Sequence, residues 1–164
     1  MRWKQFEELN PELAEEARKI LGKNGLALVG TIRKDGFPRI SPTEVFFSHG
    51  ELLAGMMRKS RKASDLLRDP RCVVHSTVSN PNGSEPELKL YFRAIESGEE
   101  STAHYVEAYT RRWKRRPPPS FPGFTFSMDV DSAALIRYDT KKNRMHLIQW
   151  SSKRGLTRVA RRYP

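Results

Sequence analysis

The chain has one cysteine, Cys72, in 164 residues. No internal disulfide can form, and the expected setting is a reducing cytoplasm. The four histidines, His49, His75, His104 and His146, fall in separate predicted elements without paired-ligand spacing, so no metal site assembles from the sequence. Long apolar runs are missing too; none approaches the ~20 residues a membrane helix needs. No charged, then apolar, then small-residue pattern opens the chain, so no secretory signal is expected. The sequence contains no G-x-S-x-G elbow, no G-x-x-x-x-G-K-[ST] loop and no G-x-G-x-x-G after a strand. Hydrolase, P-loop and dinucleotide readings therefore lack their signatures. If the chain is an enzyme, its reactive group is expected to come from a cofactor that the protein holds and tunes. Acidic residues are in short supply: 19 Asp and Glu against 30 Lys and Arg leave +11 and a pI near 10.1. Such an excess draws polyanions nonspecifically, which brings nucleic acid into consideration.

What is present fits one domain over 1–164, with a helix over about 11–22 and a basic C-terminal tail. Asn10-Pro11 followed by Glu12, Glu15 and Glu16 reads as a helix start, and Leu13, Ala17, Ile20 and Leu21 form its apolar stripe. Gly22 or Gly25 ends it. Leu26 to Ile32 reads as a strand, Asp35-Gly36 as a hairpin turn, and Arg39 to Phe47 as the returning strand. Proline has no ladder donor, so Pro38 and Pro42 place that strand at an edge or bulge, with backbone groups of Arg39, Ile40 and Ser41 free for a ligand. Cys72 to Val78, Glu87 to Glu96, Phe124 to Val130, Ala133 to Tyr138 and Met145 to Trp150 are further predicted strands. A helix is predicted over Glu99 to Arg112, burying Ala103, Val106 and Tyr109 or Ala108. Arg111 to Pro119 is a basic, proline-rich connection. The implied class is mainly β with peripheral helices (α+β), a small closed or split β-barrel.

The stretch Gly55 to Leu67, G-M-M-R-K-S-R-K-A-S-D-L-L, carries the chemistry. Leu52 to Ala54 reads as a strand, and Ala63, Leu66 and Leu67 as the apolar side of a short helix with Ser60 at its N-cap. Free backbone N–H groups and the positive dipole end point outward there, beside Arg58, Lys59, Arg61 and Lys62. Cations at that end oppose the dipole, and a phosphate monoester would relieve both.

With a D-G hairpin, the P-R-I-S-P strand, and S-R-K-A opening a helix that closes L-R-D-P-R before an aliphatic strand, the chain resembles the pyridoxamine 5′-phosphate oxidase-like split barrels. The resemblance runs from about Leu26 to Ile95 and reappears at Leu147 to Arg158. It implies a cytoplasmic homodimeric flavoprotein of the FMN-binding split-barrel type, an oxidoreductase moving hydride between FMN and a small substrate. The deazaflavin coenzyme F-420 is the alternative cofactor. Carried onto this sequence, it implies that Ser60, Arg61 and Lys62 hold the cofactor phosphate. Gly55, Met56 and Met57 would run beside the ribityl chain and ring, Arg39, Ile40 and Ser41 would meet the ring edge, and Trp150 would reach the flavin from a C-terminal strand. The family's Arg-x-His-x-Arg arrangement is absent, the chain reading Gly155-Leu156-Thr157-Arg158-Val159-Ala160-Arg161, so pyridoxamine phosphate oxidation is not expected. Arg158 is a candidate for another anionic substrate. The competing readings are a flavin, deazaflavin or haem binding or sensor protein without turnover, and a nucleic-acid-binding barrel. The last is disfavoured because the basic clusters lack the interleaved aromatics of single-strand binders.

Overall fold

Eight strands and four helices are described in the computed structural model, which covers residues 1–80 and 82–162. Helices α1 (Trp3–Leu9) and α2 (Pro11–Asn24) precede strands β1 (Leu26–Ile32), β2 (Pro38–Ser48) and β3 (Glu51–Met56). Helix α3 (Arg61–Arg68), strands β4 (Arg71–Ser76) and β5 (Glu87–Glu96), and helix α4 (Glu99–Trp113) follow. Strands β6 (Phe124–Asp139), β7 (Arg144–Ser151) and β8 (Gly155–Arg162) complete the chain. No helix among the described residues is long and apolar enough to cross a membrane.

All strand pairings are antiparallel, in the order β3-β2-β1-β4-β5-β6-β7-β8. Pairing of β3 with the start of β6, Met56 opposite Phe124 and Leu53 opposite Ser127, closes the first six into a barrel. Closure satisfies the outermost ladder groups that an open sheet would expose. Alternation supplies the interior: Ala27 and Val29 of β1, Val74 of β4, Leu88, Leu90 and Phe92 of β5 and Met128 and Val130 of β6 all face one core. Cys72 joins them, its sulfur 3.9 Å from that of Met128.

Phe124–Val130 and Ala133–Tyr138, expected as two strands, are one strand of 16 residues. A register shift opposite Tyr91 and Phe92 lets β6 bend, so that its first half seals the barrel against β3 and its second half carries β7. The expected hairpin forms at Gly36, whose φ of +84° suits glycine, and the Asp35 carboxylate accepts from the Phe37 N–H at 3.2 Å.

Helix α2 begins at Pro11 and ends where Gly25 turns left-handed at φ +66°, later than Gly22. Leu13, Ala14, Ala17 and Leu21 are buried, and Ile20 is half-buried. Helix α1 was not foreseen: seven residues are too few to show a period, yet Trp3 and Phe6 are wholly buried and Phe6 meets Trp150 edge-on at 5.0 Å. On α4 the buried residues are Tyr105, Ala108 and Tyr109; Ala103, expected inside, faces solvent. Those rings pack with Phe46 and Leu53 in a second, smaller cluster over the outside of β2 and β3.

Candidate functional site

Strand β2 is divided. It pairs with β1 from Pro38 to Glu44, whereas its ladder with β3 runs only from Val45 to Ser48. The flank of Pro38–Glu44 that faces away from β1 therefore carries no strand among the described residues, and both prolines sit in that half, where a missing donor costs no ladder bond. Beyond the end of β3 the chain turns through Met57 to Ser60 and enters α3, which brings the start of that helix up to the open half of β2.

Ser60 is the N-cap of α3, extended at φ −72° and ψ 131°, and the Ala63 N–H donates to its Oγ at 3.3 Å. The turn is closed by the Ser60 N–H donating to the Met57 carbonyl at 2.9 Å. Arg61 and Lys62 occupy the first two helical positions, whose N–H groups a helix leaves without an internal acceptor. Arg58, Lys59 and Arg61 are exposed and make no ion pair among the described residues. Arg58 lies over the Phe124 ring at 5.5 Å. The corner thus opens to solvent and is strongly cationic.

Lys62 behaves differently from its neighbours. Its half-buried ammonium crosses to β2, donating to Thr43 Oγ1 at 2.6 Å and to the Pro42 carbonyl at 3.0 Å. Burial pushes its pKa down and the nearby Glu44 carboxylate partly offsets this; Glu44 is itself raised by burial against the pull of Lys62 and Arg115. An ammonium has three donors, so Lys62 keeps one for a ligand after both bonds to β2 are made.

Arg39 is tied to the same helix from the other side. Asp65, buried on α3, accepts from Arg39 Nε at 2.7 Å and Thr31 Oγ1 at 2.9 Å, with Arg68 at 3.5 Å. Burial alone would raise the Asp65 pKa; the bonds from Arg39 and Thr31 outweigh it and hold the carboxyl below its usual range. Asp65 therefore fixes α3 against β1 and β2. Ser41 is half-buried and the Ile40 side chain is 69% exposed.

Of the strand residues, Met57 is 64% exposed at the corner, while Met56 is buried in the barrel. Gly55 is covered from outside: a Cβ there would fall 2.4 Å from Tyr105 Cζ. Trp150 lies in the core against Phe6, and Arg158 pairs with Glu12 at 2.6 Å, so their contacts within the chain are to α1 and α2. The single chain brings Ser60, Arg61, Lys62, Met57 and the β2 edge together; it does not bring Trp150 or Arg158 to them.

Sequence reasoning missed Thr43, Asp65 and Tyr105. An acid beside two apolar positions of a short helix, with Arg68 three residues on, was the available signal for Asp65. Nothing local marks Tyr105, because its role depends on a glycine 50 residues earlier.

No family model and no curated protein matches the sequence. Solved structures do match the fold. A pyridoxamine 5′-phosphate oxidase-related, FMN-binding protein from Nostoc punctiforme is 10% identical, with 90% of this chain and 95% of that one covered at a TM-score of 0.62. General Stress Protein 26 from Bacillus anthracis is 18% identical, covering 74% and 91% at 0.57. A heme binding protein from Mycobacterium smegmatis is 12% identical, covering 93% and 89% at 0.62. At these identities the likeness is one of architecture, and the architecture is the split β-barrel of the pyridoxamine 5′-phosphate oxidase-like proteins.

Proposed function

We propose that this protein is a cytoplasmic, homodimeric flavin-binding oxidoreductase that holds FMN, or a deazaflavin in its place, between the open half of β2 and the start of α3. The observation that carries this reading is the solvent-facing N-terminus of α3. It combines a capping serine, two N–H groups without helical acceptors, three exposed cations and a lysine with one donor to spare. That donor set fits a phosphate monoester. FMN binding by the similar Nostoc punctiforme protein supports the same ligand class.

A bound flavin or deazaflavin supplies the hydride-accepting and hydride-donating ring. The chain's part is to bind and orient. Ser60, Arg61 and Lys62 would hold the phosphate, and those N–H and C=O groups of the Arg39, Ile40 and Ser41 stretch that alternate onto the unpaired flank would meet the ring edge. Met57 would offer apolar contact. The Asp65 carboxylate keeps α3 and β2 at fixed separation, so the two walls of the cleft are set before a ligand arrives. No side chain at the corner need act as acid or base in hydride transfer. Trp150 and Arg158 enter this scheme through a second copy, Arg158 as a contact for an anionic substrate.

A second reading, haem binding without turnover, is favoured by the likeness to the Mycobacterium smegmatis heme binding protein. The absorbance spectrum of the purified protein, repeated after addition of FMN or of haem, separates the two. Two flavin bands with quenched fluorescence are expected. An intense Soret band with no flavin uptake overturns the proposal. Reduction by a nicotinamide donor then distinguishes an oxidoreductase from a carrier.

A further inference from the structure

Charge is distributed very unevenly along this molecule. Eight of the 30 Lys and Arg lie in residues 140–164, which contain none of the 19 Asp and Glu, so this segment alone carries +8 of the net +11. The remaining 139 residues are close to balance.

The structure turns that segment into a ribbon. Strands β7 and β8 form an antiparallel hairpin with Ser151 opposite Gly155 and Arg144 opposite Arg162. β8 is exposed at every residue and ends the sheet. At the end remote from Trp150, Arg144, Arg161 and Arg162 gather with Lys142 of the preceding turn around an open pocket of about 310 Å³, and Lys141, exposed, precedes Lys142 in the same turn. Arg144 and Arg162 are direct cross-strand neighbours, an arrangement in which like charges repel. Among the described residues, Lys142 alone of these five cations has an ion pair, with Asp139 at 3.8 Å.

We propose that this end of the β7–β8 hairpin binds the phosphate backbone of a nucleic-acid duplex. A two-stranded β-ribbon fits the major groove of B-form DNA, and a duplex of either nucleic acid is held through its phosphates without the stacking aromatics that single strands require. The missing aromatics that count against single-strand binding are therefore no objection here. A second copy of the chain is a poor counter-charge, because the rest of the molecule is nearly neutral. A membrane surface would want several large exposed apolar side chains beside the cations; at this end Met145 is half-buried and Ala160 is small, and Val159, 39% exposed, is too little for an apolar face. The proposal stands apart from the flavin reading, since none of these five residues belongs to the α3 corner.

Fluorescence anisotropy with a labelled DNA duplex and a labelled RNA duplex, over a series of salt concentrations, tests it. The full chain is expected to bind at least one of them with log K falling linearly against log salt. The triple variant Arg144→Gln, Arg161→Gln, Arg162→Gln is expected to bind at least about tenfold more weakly at low salt. Its slope should be shallower by roughly 2 to 3, about one for each lost phosphate contact. A charge-matched control, Lys114→Gln, Arg115→Gln, Arg116→Gln, is expected to keep the wild-type slope. Unchanged thermal unfolding of both variants shows that the readout is binding. The proposal is overturned by absence of duplex binding at low salt, by an equal loss of slope in the control, or by an unaffected triple variant. Retention on phosphatidylserine vesicles that a duplex cannot displace also overturns it.

Discussion

Lys62 bridges two elements and still has a hydrogen to offer, so its loss is expected to reach the ligand as well as the two bonds to β2. Lys62→Ala removes one charge-assisted bond to a phosphate, worth about 1.5–3 kcal/mol, and is expected to weaken FMN binding by roughly tenfold or more in a flavin fluorescence titration. An unchanged affinity would take the phosphate away from this corner. Asp65 makes the opposite case, a residue whose loss strikes the scaffold. Asp65→Ala leaves Arg39 and Thr31 without their buried acceptor, at a cost of about 2–3 kcal/mol once the partial exposure of Arg39 is allowed for. Because its folded pKa lies below the unfolded one, the Asp65 contribution is complete above the ordinary carboxylate range and is lost as pH falls through the lowered value. The stability gap between wild type and variant in urea titrations should therefore narrow toward acid; a gap that widened would contradict the ion-pair account. The sequence made Ser60 legible as a cap because capping is local chemistry. It hid Asp65, whose partners Thr31 and Arg39 are 34 and 26 residues away.

At the level of elements, the closest fit is between β3 and α4. Gly55 lets the Tyr105 ring lie on the strand, and that ring is wholly buried among Phe46, Leu53 and Tyr109, so it has no room to swing aside. Gly55→Ala is expected to lower stability by about 1–3 kcal/mol through overpacking. The same substitution in a Tyr105→Ala background should cost close to nothing, and additive losses in thermal unfolding would show that the two do not collide. Most strands could be read from alternation: β5 was foreseen at its full Glu87–Glu96 span, and β1 at Leu26–Ile32. β8 could not be read that way, because a strand exposed along its whole length has no apolar face to alternate with and shows only its charge. The continuity of β6 was hidden for a related reason. Asp131 and Ser132 look like a break, and the shift that absorbs them is made against β5.

For the whole molecule, the outside of the barrel matters as much as its interior. Ile40, Gly30, Val73 and Tyr91 form a cross-strand row over β2, β1, β4 and β5, and at Gly30 a Cβ would come within 2.7 Å of the Val73 methyl. Ile40 is 69% and Tyr91 46% exposed, an apolar stretch suited to the proposed second copy. Wild type is expected to sediment at twice the 19.0 kDa chain mass, and Ile40→Lys with Tyr91→Lys as a monomer with weakened FMN binding. A double variant that stayed dimeric would move the interface elsewhere.

The buried thiol of β4 gives this chain a clock. Burial pushes the Cys72 thiol up to about 12, with the Asp131 charge adding to it, so almost no thiolate exists near neutrality while the barrel is closed. Attack by a disulfide reagent then has to wait for β4 to come away from β5 and Met128. With no second sulfhydryl to blur the trace, the labelling rate reports how often the barrel opens, and its slowing on FMN addition would time how firmly the cofactor holds the barrel shut.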